Sequence, residues 1–300
     1  MRIAIIIRFI IIILILILTF VIGASLYKIS PLYSETKTFD GQRAYENVQY
    51  QVERGARTPG STAHEEVVNW LTVELKNYGW NVETQDAVIS GLRVKNIIAK
   101  RGTGNPWIIL ASHYDSRLYA DRDPSAVNRQ LPVPGANDGA SSTGVLLEIA
   151  RVLPAKINKQ VWLAFFDAED QANISGLNGE IGSQYFVSTL SERPDSVVVL
   201  DMIGDKDLNI YMERNSNPEL NQEIWNVAAE LQYSQFIPTA KHGMIDDHTP
   251  FINAGIKAVD IIDFDYPYWH TTEDTLDKVS TDSLQVVGET MINWLEQFPK

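Results

Sequence analysis

From residue 3 to residue 24 the chain is apolar apart from Arg8 and Thr19. About 20 such positions are enough for a helix to cross a bilayer core. The run is longer than the apolar stretch of a secretory signal and has no clear small-x-small cleavage site. It therefore reads as an uncleaved anchor over residues 1–25. Arg2 and Arg8 place its N-terminus in the cytoplasm and the rest of the chain outside, as a single-pass membrane protein. Residues 26–40 are polar and without period, and read as a stalk. A globular domain is expected over 41–300.

Within that domain the pattern alternates. Residues 57–61 read as a turn, and 64–78 carries Val67, Val68, Leu71 and Leu75 at helical spacing before Gly79. Short β-rich runs at 96–100, 107–112, 161–166, 196–202 and 258–262 read as strands. Helical patterns fall between and after them, at 140–152, 182–190, 218–233 and 281–298. Asn217 before Pro218 is a good helix start, because Asn can cap and Pro is tolerated at the first helical position. The alternation predicts one α/β domain with a mixed, largely parallel central sheet flanked by helices on both faces. In such sheets ligands gather at the carboxyl ends of the strands.

Composition narrows the chemistry. With a formal net charge of -13 the chain lacks the basic footprint that nucleic acid needs, so no nucleic-acid partner is expected. It has no cysteine, which excludes a disulfide framework and leaves only His, Asp and Glu to hold a transition metal.

The strand exits supply those residues repeatedly. After 107–112 come His113 and Asp115, which alternation points the same way, so Asp115 can take the second imidazole proton of a metal-bound His113. Asn137-Asp138-Gly139 opens a helix; Asp138 suits a bridging carboxylate, or a plain helix cap. The run 161–166 ends in Asp167-Ala168-Glu169-Asp170, whose crowded charge favours a nearby cation or a held proton. Glu169 is placed as general base and Asp170 as a ligand. Asp201 leaves the next strand, Asp246 lies in Asp246-Asp247-His248, and His270 follows Trp269. His64 and His242 lack acid partners in the pattern and are left outside the site. Tyr268 and Trp269, with Tyr119 and Tyr266, are aromatic residues available for a substrate pocket. Each motif alone could be an ordinary turn or cap; five in register point to a hard oxygen-nitrogen set, His113, Asp138, Asp170, Asp201 and His270, suited to zinc.

The ordered motifs resemble metallopeptidase family 28, the zinc aminopeptidases of clan MH, which also contains the glutaminyl cyclases. The resemblance covers about residues 57–295. It implies zinc at His113, Asp138, Asp170, Asp201 and His270, with Glu169 as general base. One departure is visible: the expected ligand after the catalytic Glu is a second Glu, and here it is the shorter Asp170.

Two activities fit. Aminopeptidase hydrolysis, taken first, uses two zinc ions bridged by Asp138 and cleaves the first peptide bond of a peptide held by its N-terminus. Cyclisation of an N-terminal Gln uses one zinc at residues matching Asp138, Asp170 and His270, with Glu169, Asp201 and Asp246 as the acid network. Trp269 beside His270 and the Asp-Asp-His run resemble the cyclases. The third reading is a peptide-binding domain without activity.

Overall fold

The computed structural model describes residues 37–298 except Ser175, together with Thr19. The chain divides into two units after Lys37. The expected anchor and stalk lie outside the described residues apart from Thr19 and residues 37–40. Among the described residues no helix is long and apolar enough to cross a membrane. Phe39 is buried in the core of the second unit, and Asp40 caps the first helix by accepting the Gln42 and Arg43 N–H groups.

That unit is one α/β domain. Its elements run α1 (Gly41–Val52), α2 (Thr62–Asn77), β1 (Asn81–Ile89), β2 (Leu92–Arg101), β3 (Trp107–His113), α3 (Ala140–Val152), β4 (Gln160–Phe166), α4 (Ile181–Thr189), β5 (Ser196–Asp201), β6 (Ile210–Met212), α5 (Pro218–Glu230), β7 (Phe236–Ala240), α6 (Thr249–Asn253), β8 (Ala258–Ile262) and α7 (Thr281–Gln297). The main sheet has the order β1-β2-β4-β3-β5-β8. β4, β3, β5 and β8 are mutually parallel, while β1 and β2 pair antiparallel at one edge. β6 and β7 form a separate parallel pair.

The period-2 alternation of the strands divides the apolar residues between two cores. Ile108, Leu110, Leu163, Phe165, Val198 and Leu200 face one side, where Val48, Leu71, Leu147, Ile224 and Val287 bring in α1, α2, α3, α5 and α7. Ile109, Ala111, Ala164, Phe166, Val197 and Val199 face the other, against Phe186 of α4 and Phe251 of α6. Helices thus cover both faces, which is why the central strands read as nearly continuous apolar runs. The chain leaves β3 through α3 on one face to reach β4, then leaves β4 through α4 on the other face to reach β5. A crevice opens where these connections part, at the carboxyl ends of β3, β4 and β5.

Candidate metal centre

The registers level the strand ends: His113 pairs with Phe166, and Asp201 with Ile262. Into this crevice come the residues that the sequence singled out, arranged as two triads that share one acid. His113 Nε2 lies 3.1 Å from both Asp138 Oδ1 and Asp201 Oδ1. His270 Nε2 lies 3.0 Å from Asp170 Oδ1 and 3.8 Å from Asp138 Oδ2. In each triad the ligand atoms lie within 4.8 Å of one another.

Asp138 owes its position to two buried clamps. The Arg57 guanidinium donates to the carbonyls of Tyr114 at 3.0 Å, Pro134 at 2.9 Å and Gly135 at 2.6 Å. From the other side Asp274 accepts the N–H groups of Asn137 at 2.8 Å and Asp138 at 3.1 Å, and the Tyr266 hydroxyl at 2.7 Å. The glycines flanking this loop are required by space as well as by positive φ. A Cβ at Gly135 (φ +69°) would sit 2.6 Å from Arg57 Nη2, and one at Gly139 (φ +88°) 2.6 Å from the Asp115 carbonyl oxygen. Three non-glycine residues around the centre also adopt positive φ: Ala168 (56°) and Met202 (45°) just past β4 and β5, and His270 (58°) in the loop after β8. Such conformations persist only where the surroundings over-determine them, and they cluster at functional sites.

Electrostatics follow from burial of many acids together. Burial, and then the charge of Asp246, hold Glu169 well above the ordinary carboxylate range. Burial and the charge of Asp201 push Asp246 up to about 7. Burial works against protonation of the two histidines, but their carboxylate neighbours outweigh it. His113 is raised well above its ordinary value by Asp115, Asp138 and Asp201, and His270 to about 9 by Asp170, Asp121 and Asp138. Ligands of such a set shed their protons to bind a divalent cation, so metal uptake at this centre is coupled to proton release. Asp138 Oδ2 and Asp170 Oδ2 are buried without a hydrogen-bond partner. Orphaned carboxylate oxygens in a hard oxygen-nitrogen set are what a zinc ion fits.

Asp115, fully buried, lies 3.5 Å from His113 Nδ1 and accepts the Glu169 N–H at 3.1 Å and Gln171 Nε2 at 3.0 Å. It stands between the first histidine and the Glu169 turn. A cavity of about 180 Å3 opens on the centre, and its lining includes Asp138, Glu169, Asp170, Glu180, Asp246, Phe264, Trp269 and His270. Neither His113 nor Asp201 lines it. Trp269 lies 3.9 Å, ring to ring, from His270 and edge-on to Phe264 at 5.0 Å. Tyr268, offered by the sequence for the same wall, lines a different hollow with Asp205 and Lys278, because the chain turns between 268 and 269. Tyr266 is buried on Asp274, and Tyr119 is exposed.

His64 and His242 lie outside the triads. His64 is buried 2.9 Å from Asp167 and 3.1 Å from the Tyr114 hydroxyl, and His242 lies 3.0 Å from Asp265. Several site-supporting residues carried no sequence signal. Arg57 stood in an ordinary turn, Asp274 in a polar loop, and Arg117 and Asp121 beyond the His113-x-Asp115 motif. Asp260 was hidden inside an apolar strand, yet with Asp246 and His248 it forms a third buried group of ligand-type atoms within 4.8 Å. Its carboxyl is held well above the usual range by burial and by Asp246.

The fold and the paired triads define a class of metal-dependent enzymes on a mixed α/β sheet. Residues 96–295 match the family model Peptidase family M28, and the chain belongs to that family, which includes zinc aminopeptidases and glutaminyl cyclases. It is similar to the solved glutaminyl cyclase of Porphyromonas gingivalis, with a TM-score of 0.82 and 32% identity over 86% of this chain and 98% of that one. A leucine aminopeptidase precursor from Bacteroides thetaiotaomicron superposes with a TM-score of 0.81 and 31% identity over 88% and 99%. Aminopeptidase YwaD of Bacillus subtilis is 29% identical over 234 residues, 72% of this chain but only 45% of that protein's length.

Proposed function

We propose that the protein is a zinc-dependent glutaminyl cyclase, which closes an N-terminal glutamine of a peptide into pyroglutamate and releases ammonia. The sequence put hydrolysis first; the lining of the cavity shifts the balance. Of the two triads, only Asp138, Asp170 and His270 all border the cavity, together with Glu169 and Asp246, while His113 and Asp201 stand behind them. One accessible metal position beside an acid of raised proton affinity suits cyclisation, in which one proton is taken up and then given back, better than a two-metal attack by water.

Zinc held by Asp138, Asp170 and His270 would polarise the glutamine side-chain carbonyl. The attacking α-amine and this carbonyl belong to the same residue, so a pocket that folds the side chain back brings them into reach. Trp269, Phe264 and Ile262 form the apolar wall that would do this and keep water from competing. As the amine nitrogen bonds to the carbonyl carbon, Glu169 takes a proton from it. The same proton passes to the amide nitrogen, whose bond to that carbon breaks, and ammonia leaves. Asp246, next to Glu169 in charge coupling, is suited to share that proton. His113, with Asp115 and Asp201 around it, would brace Asp138 from behind.

The second reading, aminopeptidase hydrolysis, is favoured by Asp138 itself, whose Oδ1 faces the His113 triad and whose Oδ2 faces His270. That is the disposition of an acid bridging two ions. Zinc stoichiometry, an ammonia assay with a Gln-initiated peptide, and an aminoacyl-coumarin panel separate the two. One zinc with ammonia and no cleavage supports the cyclase; two zincs with free amino acid support the peptidase. Zinc uptake with neither product leaves peptide binding alone. For the N-terminal segment, the apolar run of residues 3–24 supports a membrane anchor that carries the catalytic domain on the extracytoplasmic side, with a tether that ends at residue 37, because Phe39 and Asp40 belong to the domain. Fractionation with and without residues 1–25 tests it, and a chain that stays soluble with the segment intact would overturn it.

A further inference from the structure

The shorter acid at position 170 should reach a metal less well than the Glu that the family pattern predicts. Its surroundings supply a remedy. Arg117 is almost fully buried and spends its whole guanidinium on three residues, Asp121, Asp170 and Ala172. Nε and Nη2 grip Asp121 as a fork, at 2.7 Å to Oδ1 and 3.0 Å to Oδ2. Nη1 donates to the Asp170 carbonyl and to Asp170 Oδ1, both at 3.1 Å, and Nη2 also donates to the Ala172 carbonyl at 3.0 Å. One side chain thereby holds the carbonyls on both sides of Gln171 together with one oxygen of the Asp170 carboxylate. Asp121 then lies 3.2 Å from His270 Nδ1, leaving Nε2 turned to Asp170. Asp170, Arg117, Asp121 and His270 form one chain of contacts that starts and ends on the same metal position.

We propose that Arg117 and Asp121 are a positioning pair that sets the zinc affinity of the Asp138–Asp170–His270 site by compensating for the short arm of Asp170. The inference rests on the metal reading above. Partners that orient ligands typically contribute 10–100-fold to metal affinity. A fork is needed as well as a charge, so lysine cannot replace Arg117.

The test is zinc affinity of the full-length protein, measured by competition with a chromogenic chelator. Arg117→Gln and Asp121→Ala are each expected to weaken zinc binding by about 10–100-fold. Asp170→Glu should recover roughly tenfold or more of that loss in the Arg117→Gln background and give no gain in the wild type, a coupling that a merely structural role would not produce. Should Arg117→Gln fail to fold, Arg117→Lys carries the same expectation. Single variants that bind zinc within about twofold of wild type, or an Asp170→Glu effect equal in both backgrounds, would overturn the proposal. A wild type that takes up no zinc would sink the metal reading and this inference with it, whereas normal wild-type uptake with unmoved variants sinks the inference alone.

Discussion

Replacing Arg57 by methionine keeps an unbranched apolar stem but removes the donors that hold the Asp138 loop. Tyr114 and Pro134 lose a charged donor to their carbonyls, while Gly135 O retains the Ala140 N–H at 3.3 Å. Hydrogen bonds to charged groups contribute about 1.5–3 kcal/mol each, and the losses at one residue do not simply add. Methionine also relieves a cost, since burial holds the Arg57 pKa down at about 10 against the favourable pull of Asp274, Asp115 and Asp138. Breaking a buried charge cluster by deleting one partner usually costs about 3–5 kcal/mol, and the relief places Arg57→Met near the lower end, at about 3 kcal/mol. For a domain of this size that lowers Tm by about 6–12 °C. Urea unfolding of the zinc-free protein, followed by tryptophan fluorescence, should show a lower midpoint with an unchanged slope. A loss below about 1 kcal/mol would mean that water satisfies the abandoned carbonyls, and the account of the loop as clamped from both sides would be refuted.

Three further outcomes are expected. Glu169→Gln should lower kcat by about 10²–10⁴-fold in whichever of the two reactions proves real, with zinc content unchanged; normal turnover in the ammonia or coumarin assay would remove Glu169 from its role. Gly139→Ala should destabilise the domain and lower zinc content together, because its Cβ collides with the Asp115 carbonyl at a positive φ; wild-type zinc content by atomic absorption would contradict the fit described at that turn. The zinc-free protein should lose stability as pH rises from about 5 to 9. Asp246 and Asp274, pushed up to about 7 chiefly by burial, and His270, raised to about 9, all have folded pKa values above their unfolded ones. Their contributions are complete below the unfolded values and vanish as pH passes the folded ones. Urea midpoints at pH 5, 7 and 9 that rise with pH would reverse this sign.

Much of the fold was legible because its strands are buried on both faces. The run expected at 107–112 is β3 to within one residue, that at 258–262 coincides with β8, and the helix at 140–152 coincides with α3. β1 escaped notice because it is the sheet edge: every residue of Asn81–Ile89 is exposed or half-buried, and Glu83, Thr84, Gln85 and Asp86 do not read as a strand. α1 escaped because Ala44 and Val48 are its only fully buried apolar side chains, with Tyr45 and Val52 partly so, while Gln51 buries an amide that donates to the Ala140 carbonyl at 3.1 Å. In the centre, His113 and Asp201 end β3 and β5 and Asp170 follows β4, while Asp138 and His270 come to them from loops. What could not be read were partners fixed by long-range folding. Arg57 reaches 78 residues along the chain to Gly135, and Asp274 reaches back 137 to Asn137.

The left-handed turns at Ala168, Met202 and His270 have a consequence for how the centre acquires its cation. Each is held by the strands and loops that carry it, so the geometry of the donors is written into the main chain before any ion arrives. Loading should therefore resemble filling a rigid socket: a chelator would strip the ion and leave the architecture standing, and re-addition would restore occupancy without a refolding phase.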